Sequence, residues 1–216
     1  MIVADLSGGK DSIAMGLRLL ELGERVDAFV FVDTGLEFPE AYEAIERFQQ
    51  VTGCDVEVVR AERTFEWFAT QAEVQGKRKG TMRREKGYGW PSFAVRWCNG
   101  HLKRIPLRAW DLAHGEPTHL IGIAADEPKR IRHKPRVRYP LVEWGWKESD
   151  CLAYCRERGF FQGDFYDKHK RMGCFVCPLQ SVSDARYLRD HRPALWGQIK
   201  RLEAAIGEPW KVCGTE

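Results

Sequence analysis

The chain has 216 residues, 44% hydrophobic and 30% charged, with a formal net charge of +3 and seven cysteines. That length suits one α/β domain (1–138) with a C-terminal subdomain (139–216) packed against it. No apolar run approaches the ~18 residues of a membrane helix. No basic-then-apolar leader opens the chain. A membrane protein and a disulfide framework are therefore disfavoured, and thiols kept reduced in a cytoplasmic compartment are expected.

In chain order, Met1–Leu6 reads as a short buried strand, followed by Ser7-Gly8-Gly9-Lys10-Asp11-Ser12. Ile13, Leu17 and Leu20 recur at helical spacing, so a helix starts directly after that turn. Its unpaired first-turn amides, the helix dipole and Lys10 form an anion site suited to a nucleotide polyphosphate. The G-x-x-x-x-G-K-[ST] loop is excluded because its first glycine would fall on Ala4, and G-x-G-x-x-G is absent.

Asp27–Asp33 and Asp55–Arg60 read as further strands, with a helix over Pro39–Val51 between them and another over Thr64–Val74. Residues 76–96 form a long basic connection, a candidate lid, and Thr118–Ile123 is a fourth strand. This alternation predicts an α/β fold, a parallel twisted sheet with helices on both faces. Ligands of such sheets bind beyond the carboxyl ends of the strands. Here those ends are Ser7–Ser12, Asp33-Thr34-Gly35 and Gly122–Glu127.

After residue 139 the character changes. A helix over Glu148–Arg158 stops near Gly159, and an aromatic, glycine-containing loop (FFQGDFY, 160–166) leads to Cys174-Phe-Val-Cys177-Pro178. A last helix runs from Ser183 to Ala205 with a break at Pro193. Two runs, 77–86 and 129–138, each carry six Lys or Arg, on a chain that is otherwise net acidic. They read either as solvated loops or as a surface that captures a polyanion.

A C-x-x-C pair can be redox-active, half a zinc site or part of an iron–sulfur cluster. Arg96, Lys103, Lys170 and Arg171 would stabilise thiolates nearby. Cys151 and Cys155 share one helical face, which suits core positions, with Cys155 a reserve fourth metal ligand, and Cys54 reads as structural.

Five segments in order resemble the phosphoadenosine-phosphosulfate-reductase-like branch of the PP-loop adenine nucleotide α-hydrolase superfamily. They are SGGKDS (Ser7–Ser12), VDTGLEFPE (Val32–Glu40), RWCNGHLKRIPL (Arg96–Leu107), GIAADEPKR (Gly122–Arg130) and GCFVCP (Gly173–Pro178). The resemblance implies that Ser7, Gly8, Gly9, Lys10, Asp11 and Ser12 hold nucleotide phosphates, with Asp11 near magnesium. It implies that Asp33, Thr34 and Gly35 line the nucleotide pocket, and that Gly122, Glu127 and Arg130 belong to it. The family pattern G-x-R-x-x-E-S-x-x-R is broken at Ala124 and Pro128. Cys98 falls on a family cysteine that joins a C-x-x-C pair at a [4Fe–4S] cluster, so Cys98, Cys174 and Cys177 are the expected metal ligands, with zinc as second choice.

From this resemblance the expected activity is ATP binding with Mg2+, adenylation of a substrate, release of pyrophosphate and sulfur transfer. Lys10, Asp11, Cys98, Cys174 and Cys177 are the expected catalytic set. The sulfur acceptor is a nucleic acid or a small molecule, and a thiol reductant or sulfur-donor protein is an expected partner. The alternative is a thiol-dependent reductase of phosphoadenylyl or adenylyl sulfate that makes sulfite, for which Cys213 is a weak nucleophile candidate. A further alternative is a non-catalytic nucleotide-binding module with a structural zinc.

Overall fold

A computed structural model describes residues 1–74, 86–169 and 171–210. The chain forms two compact units, cut differently from 1–138 and 139–216. The first is Met1–Asp33, Glu37–Val59 and Leu107–Gly173; the second is Thr34–Leu36, Arg60–Pro106 and Cys174–Glu216. Residues 139–173 join the first unit because the helix over Glu148–Glu157 packs on the first helix, burying Cys151 and Cys155 completely in the main core.

The first unit is built on strands β1 (Ile2–Leu6), β2 (Ala28–Asp33), β3 (Val56–Arg60), β4 (Thr118–Ile121) and β5 (Val137–Arg138), in sheet order β3-β2-β1-β4-β5. β1 pairs in parallel with both β2 and β4, Asp5 lying opposite Val30 on one side and Ile121 on the other. β5 extends the sheet in parallel beyond β4. Two residues long, it carries too little alternation to be read from sequence. This order reverses between β1 and β4, and such a switch point opens a crevice beyond the strand ends.

Residues alternate between the two sheet faces along each strand. Ala4, Leu6, Phe29, Phe31 and Leu120 face a large apolar core shared with α1 (Lys10–Glu21) and α2 (Pro39–Thr52). Phe29 and Phe48 meet edge to face there, 4.9 Å apart. Val3, Val30 and Val59 face the other way, against Leu107 and Trp110 of α5 (Ile105–Ala113). His119 of β4 has its Nδ1 2.8 Å from Asp5 and its Nε2 3.0 Å from Asp111.

In the second unit, α3 (Phe65–Thr70) is capped by Thr64, whose hydroxyl accepts from the Trp67 amide. It ends four residues before the expected Val74. The helix α4 (Trp97–Asn99) widens into a π turn over Gly100–Arg104 before α5 begins. Pro106 explains the widening: it has no amide proton, and its ring would strike the Leu102 carbonyl in a regular helix. The expected final helix is two, α9 (Val182–His191) and α10 (Pro193–Ile206), divided where Pro193 cannot continue the ladder. Leu195, Ile199, Leu202 and Ile206 form the buried stripe of α10. The remaining helices, α6 (Pro140–Glu143), α7 (Glu148–Glu157) and α8 (Phe165–Lys168), belong to the first unit. No helix among the described residues is long and apolar enough to cross a membrane.

Candidate functional site

The turn between β1 and α1 is shaped by its own side chains and by two glycines. Ser12 Oγ accepts from the Ser7 amide at 3.0 Å and donates to the Gly9 carbonyl at 2.9 Å, tying the turn to the first helical turn. Gly8 sits at φ +72°, and a Cβ there would lie 2.6 Å from the Ala41 carbonyl oxygen. Gly122, just beyond β4, lies so close that a Cβ would come 2.9 Å from the Ser12 nitrogen. The end of β4 thus rests on the start of α1, at the switch point where the topology directs a ligand. Main-chain amides at this helix start, with no side-chain cap on Gly9, suit an anion.

Lys10 is buried, and its Nζ lies 3.2 Å from both Asp11 Oδ2 and Glu148 Oε2. Burial works against its charge, but the two carboxylates outweigh it and hold the ammonium above the usual lysine range. Burial pushes the Asp11 carboxyl up despite the neighbouring Lys10. Asp11, Glu127 and Glu148 bring carboxylate oxygens within 4.8 Å of one another, and Asp11 Oδ1 is buried without a partner. Three oxygen donors with one unsatisfied atom fit a hard divalent cation such as Mg2+. This is the one group of three or more His, Cys, Asp or Glu at single-ion spacing among the described residues.

The other expected nucleotide residues are placed as follows. Asp33 is buried at the end of β2 and accepts from the Tyr42 hydroxyl at 2.7 Å. Burial, with Asp33 as acceptor, pushes that phenol well above its ordinary value. Arg130 is exposed and its guanidinium pairs with Glu127. Gly35 takes a left-handed backbone, φ +76°. Thr34 belongs to a different constellation, with its hydroxyl 3.2 Å from Cys174 Sγ.

That constellation lies in the second unit. The Phe175 amide donates to the Leu36 carbonyl at 2.9 Å, and the Cys177 amide to the Cys174 carbonyl at 3.1 Å, closing the C-x-x-C turn. The Gln180 side chain donates to the Cys174 and Phe175 carbonyls, both at 3.1 Å, and fixes the turn from the other side. Cys98 lies near enough to Cys177 for the two thiols to interact electrostatically. Burial first, and negative charge on Cys177 second, hold the Cys98 thiol above its ordinary value, while Lys103 pulls it down. Cys98, Cys174 and Cys177 share one compact unit, and Cys98 is coupled electrostatically to Cys177. His101 stacks against Phe68 and Tyr88, with ring centroids at 4.7 and 5.3 Å.

Cys155 donates its thiol hydrogen to the Lys10 carbonyl at 3.3 Å, and burial pushes its pKa up to about 12. It is a buried, protonated packing group beneath the β1–α1 turn, in keeping with its helical spacing. Of the two basic runs, residues 77–85 lie outside the described residues, as do Lys170 and Cys213. Most of the lid candidate 76–96 falls there as well, up to residue 85. Glu148 and Tyr166 were not singled out by sequence. Glu148 is visible only as the first residue of a helix, and Tyr166 only as one ring of an aromatic loop.

Fold and site together define an α/β protein with a glycine-containing turn and a helix start at the switch point of a parallel sheet. The phosphoadenosine phosphosulfate reductase domain family matches residues 1–180. The chain belongs to this reductase-like family of the PP-loop superfamily. It is 27% identical to an uncharacterized protein of Methanocaldococcus jannaschii over 97% of this chain but 44% of that protein. It is 28% identical to an uncharacterized nin region protein of Escherichia phage lambda over 83% of this chain and 66% of that protein. The chain thus spans less than two thirds of each of these two relatives. Adenosine 5'-phosphosulfate reductase 1 of Bacillus subtilis is 28% identical over 89% of this chain and 80% of its own length. A solved structure of phosphoadenylyl-sulfate reductase from Candida auris, a phosphate complex, shares the fold with a TM-score of 0.57 at 15% identity. It covers 82% of both chains.

Proposed function

We propose that the chain is an enzyme that binds an adenine nucleoside triphosphate with Mg2+ at the β1–α1 loop and cleaves it between the α- and β-phosphates. The observation that carries this is Lys10 beside the Asp11, Glu127 and Glu148 carboxylates at the start of α1. A triphosphate brings more negative charge than an adenylyl sulfate, and its pyrophosphate leaving group needs a cation and a metal. Asp11, Glu127 and Glu148 would hold Mg2+, which when bound neutralises charge on the β- and γ-phosphates. The substrate oxygen attacks the α-phosphorus, the bond from that phosphorus to the bridging oxygen breaks, and pyrophosphate leaves. Lys10 and the α1 amides stabilise the departing charge.

Sulfur chemistry then falls to Cys98, Cys174 and Cys177. These three would hold a [4Fe–4S] cluster, which when bound supplies an iron site open to an exogenous sulfur ligand. Thr34, donating to Cys174 as a thiolate, favours the ionised ligand form. A nucleic-acid acceptor is supported by Lys129, Arg132 and Lys134, exposed on the loop that follows Glu127. The Tyr139 hydroxyl holds that loop by donating to the Arg132 carbonyl at 2.9 Å and accepting its amide at 3.1 Å. Incubation of labelled ATP and Mg2+ with tRNA or DNA should yield AMP-linked product and pyrophosphate. Absence of α–β cleavage with every acceptor contradicts the reading.

The second reading is a thiol-dependent reductase of adenylyl or phosphoadenylyl sulfate. Its support is the similarity to Bacillus subtilis adenosine 5'-phosphosulfate reductase 1. Sulfite release from adenosine 5'-phosphosulfate, with no pyrophosphate from ATP, selects it.

A further inference from the structure

The first-turn amide of α1 that a nucleotide phosphate should take is already held from within the chain. Lys10 N donates to the Tyr166 hydroxyl at 2.7 Å, across 156 residues of sequence. Resting on the nucleotide reading of this loop, we propose that Tyr166 is a self-ligand of the phosphate loop. Its phenol oxygen occupies the place of a phosphate oxygen on the Lys10 amide, and the nucleotide binds by displacing it.

Three observations converge on this assignment. The hydroxyl is aimed at the helix start by two edge-on rings, Phe161 at 5.0 Å and Phe165 at 5.2 Å between centroids. Phe161 itself sits at φ +53°, a backbone conformation that a bulky side chain adopts only under constraint. The strain lies in the same short loop that delivers Tyr166. Finally, the Lys10 ammonium lies 5.4 Å from the Tyr166 ring centroid while pairing with Asp11 and Glu148. Both donors of Lys10, its amide and its ammonium, therefore have internal partners that a polyphosphate would replace.

The surrogate is well matched chemically. Burial holds the phenol well above its ordinary value, so it stays neutral and never brings a second anion to the loop. A neutral oxygen satisfies a buried amide yet yields to a charged phosphate oxygen, because hydrogen bonds to an anion are about twice as strong. Binding becomes an exchange of partners, and the affinity of the loop is set lower than an open amide would give.

The test is Tyr166→Phe, which keeps the ring and removes only the oxygen, with circular dichroism to confirm the fold. Two measurements follow. In the chain without nucleotide, hydrogen exchange at the Lys10 amide should accelerate in the variant. Calorimetry with inorganic pyrophosphate and with ATP plus Mg2+ should then show binding tighter by roughly three- to tenfold, the range of one net hydrogen bond. Unchanged Lys10 exchange overturns the proposal. So does weaker or equal binding in the variant, which would make Tyr166 a direct phosphate ligand or a spectator. If neither the parent chain nor the variant binds either probe while exchange does accelerate, the nucleotide reading itself is overturned.

Discussion

The β1–α1 turn is tied by the Ser12 hydroxyl and the cysteine turn by main-chain hydrogen bonds, and the chemistry proposed for the two differs in kind. At Ser7–Ser12 the proposed anion site is largely backbone: amides, a helix start, and a glycine where no Cβ fits. At Cys174–Cys177 the backbone holds the turn, and the proposed reactivity rests in thiols: Cys174 lies 3.2 Å from the Thr34 hydroxyl, and Cys98 is raised by burial and by Cys177 and lowered by Lys103. The first kind of site should fail abruptly when its geometry is disturbed. The second should shift by degrees.

The largest effect expected is at Lys10. Lys10→Ala should lower pyrophosphate release by about a hundredfold or more, the scale of one lost donor to developing charge. Alkylation of the three thiols should stay at parent rates; faster alkylation beside the lost activity would show that the variant had simply unfolded. Gly8→Ala comes next, since it combines a left-handed backbone with a Cβ 2.6 Å from the Ala41 oxygen. A stability loss of about 2–4 kcal/mol in urea unfolding is expected.

On the thiol side, Cys98 should react with iodoacetamide only as pH rises above the ordinary thiol range, because burial and Cys177 hold it protonated. Cys177→Ser removes the like charge and should move that profile to lower pH; a profile left unmoved would break the assigned coupling. Smallest is Thr34→Val. Losing a hydroxyl that donates to the Cys174 thiolate should slow its alkylation at neutral pH by roughly fivefold, the weight of one hydrogen bond.

The same contrast explains how much of the molecule is legible in its sequence. The strand–loop–helix at Ser7–Ser12 is contiguous, so spacing alone located it, and strand alternation gave the parallel sheet. Glu127 is singled out by the family resemblance of the Gly122–Arg130 segment, not by spacing. Glu148, Tyr166 and the pairing of Thr34 with Cys174 join residues tens to hundreds of positions apart, and no local pattern encodes such contacts. The helix from Trp97 to Ala113 went unread because Pro106 interrupts its periodicity, and the π turn shifts the buried stripe. The division of the chain depends likewise on α7 packing against α1, a contact between segments more than a hundred residues apart.

The most direct test is calorimetric titration of the purified chain with ATP and with adenosine 5'-phosphosulfate, Mg2+ present, beside the Lys10→Ala variant. A saturable heat for ATP that the variant loses is the expected result. No heat for either nucleotide, or identical heats in both proteins, would contradict the assignment of the β1–α1 turn as the nucleotide site.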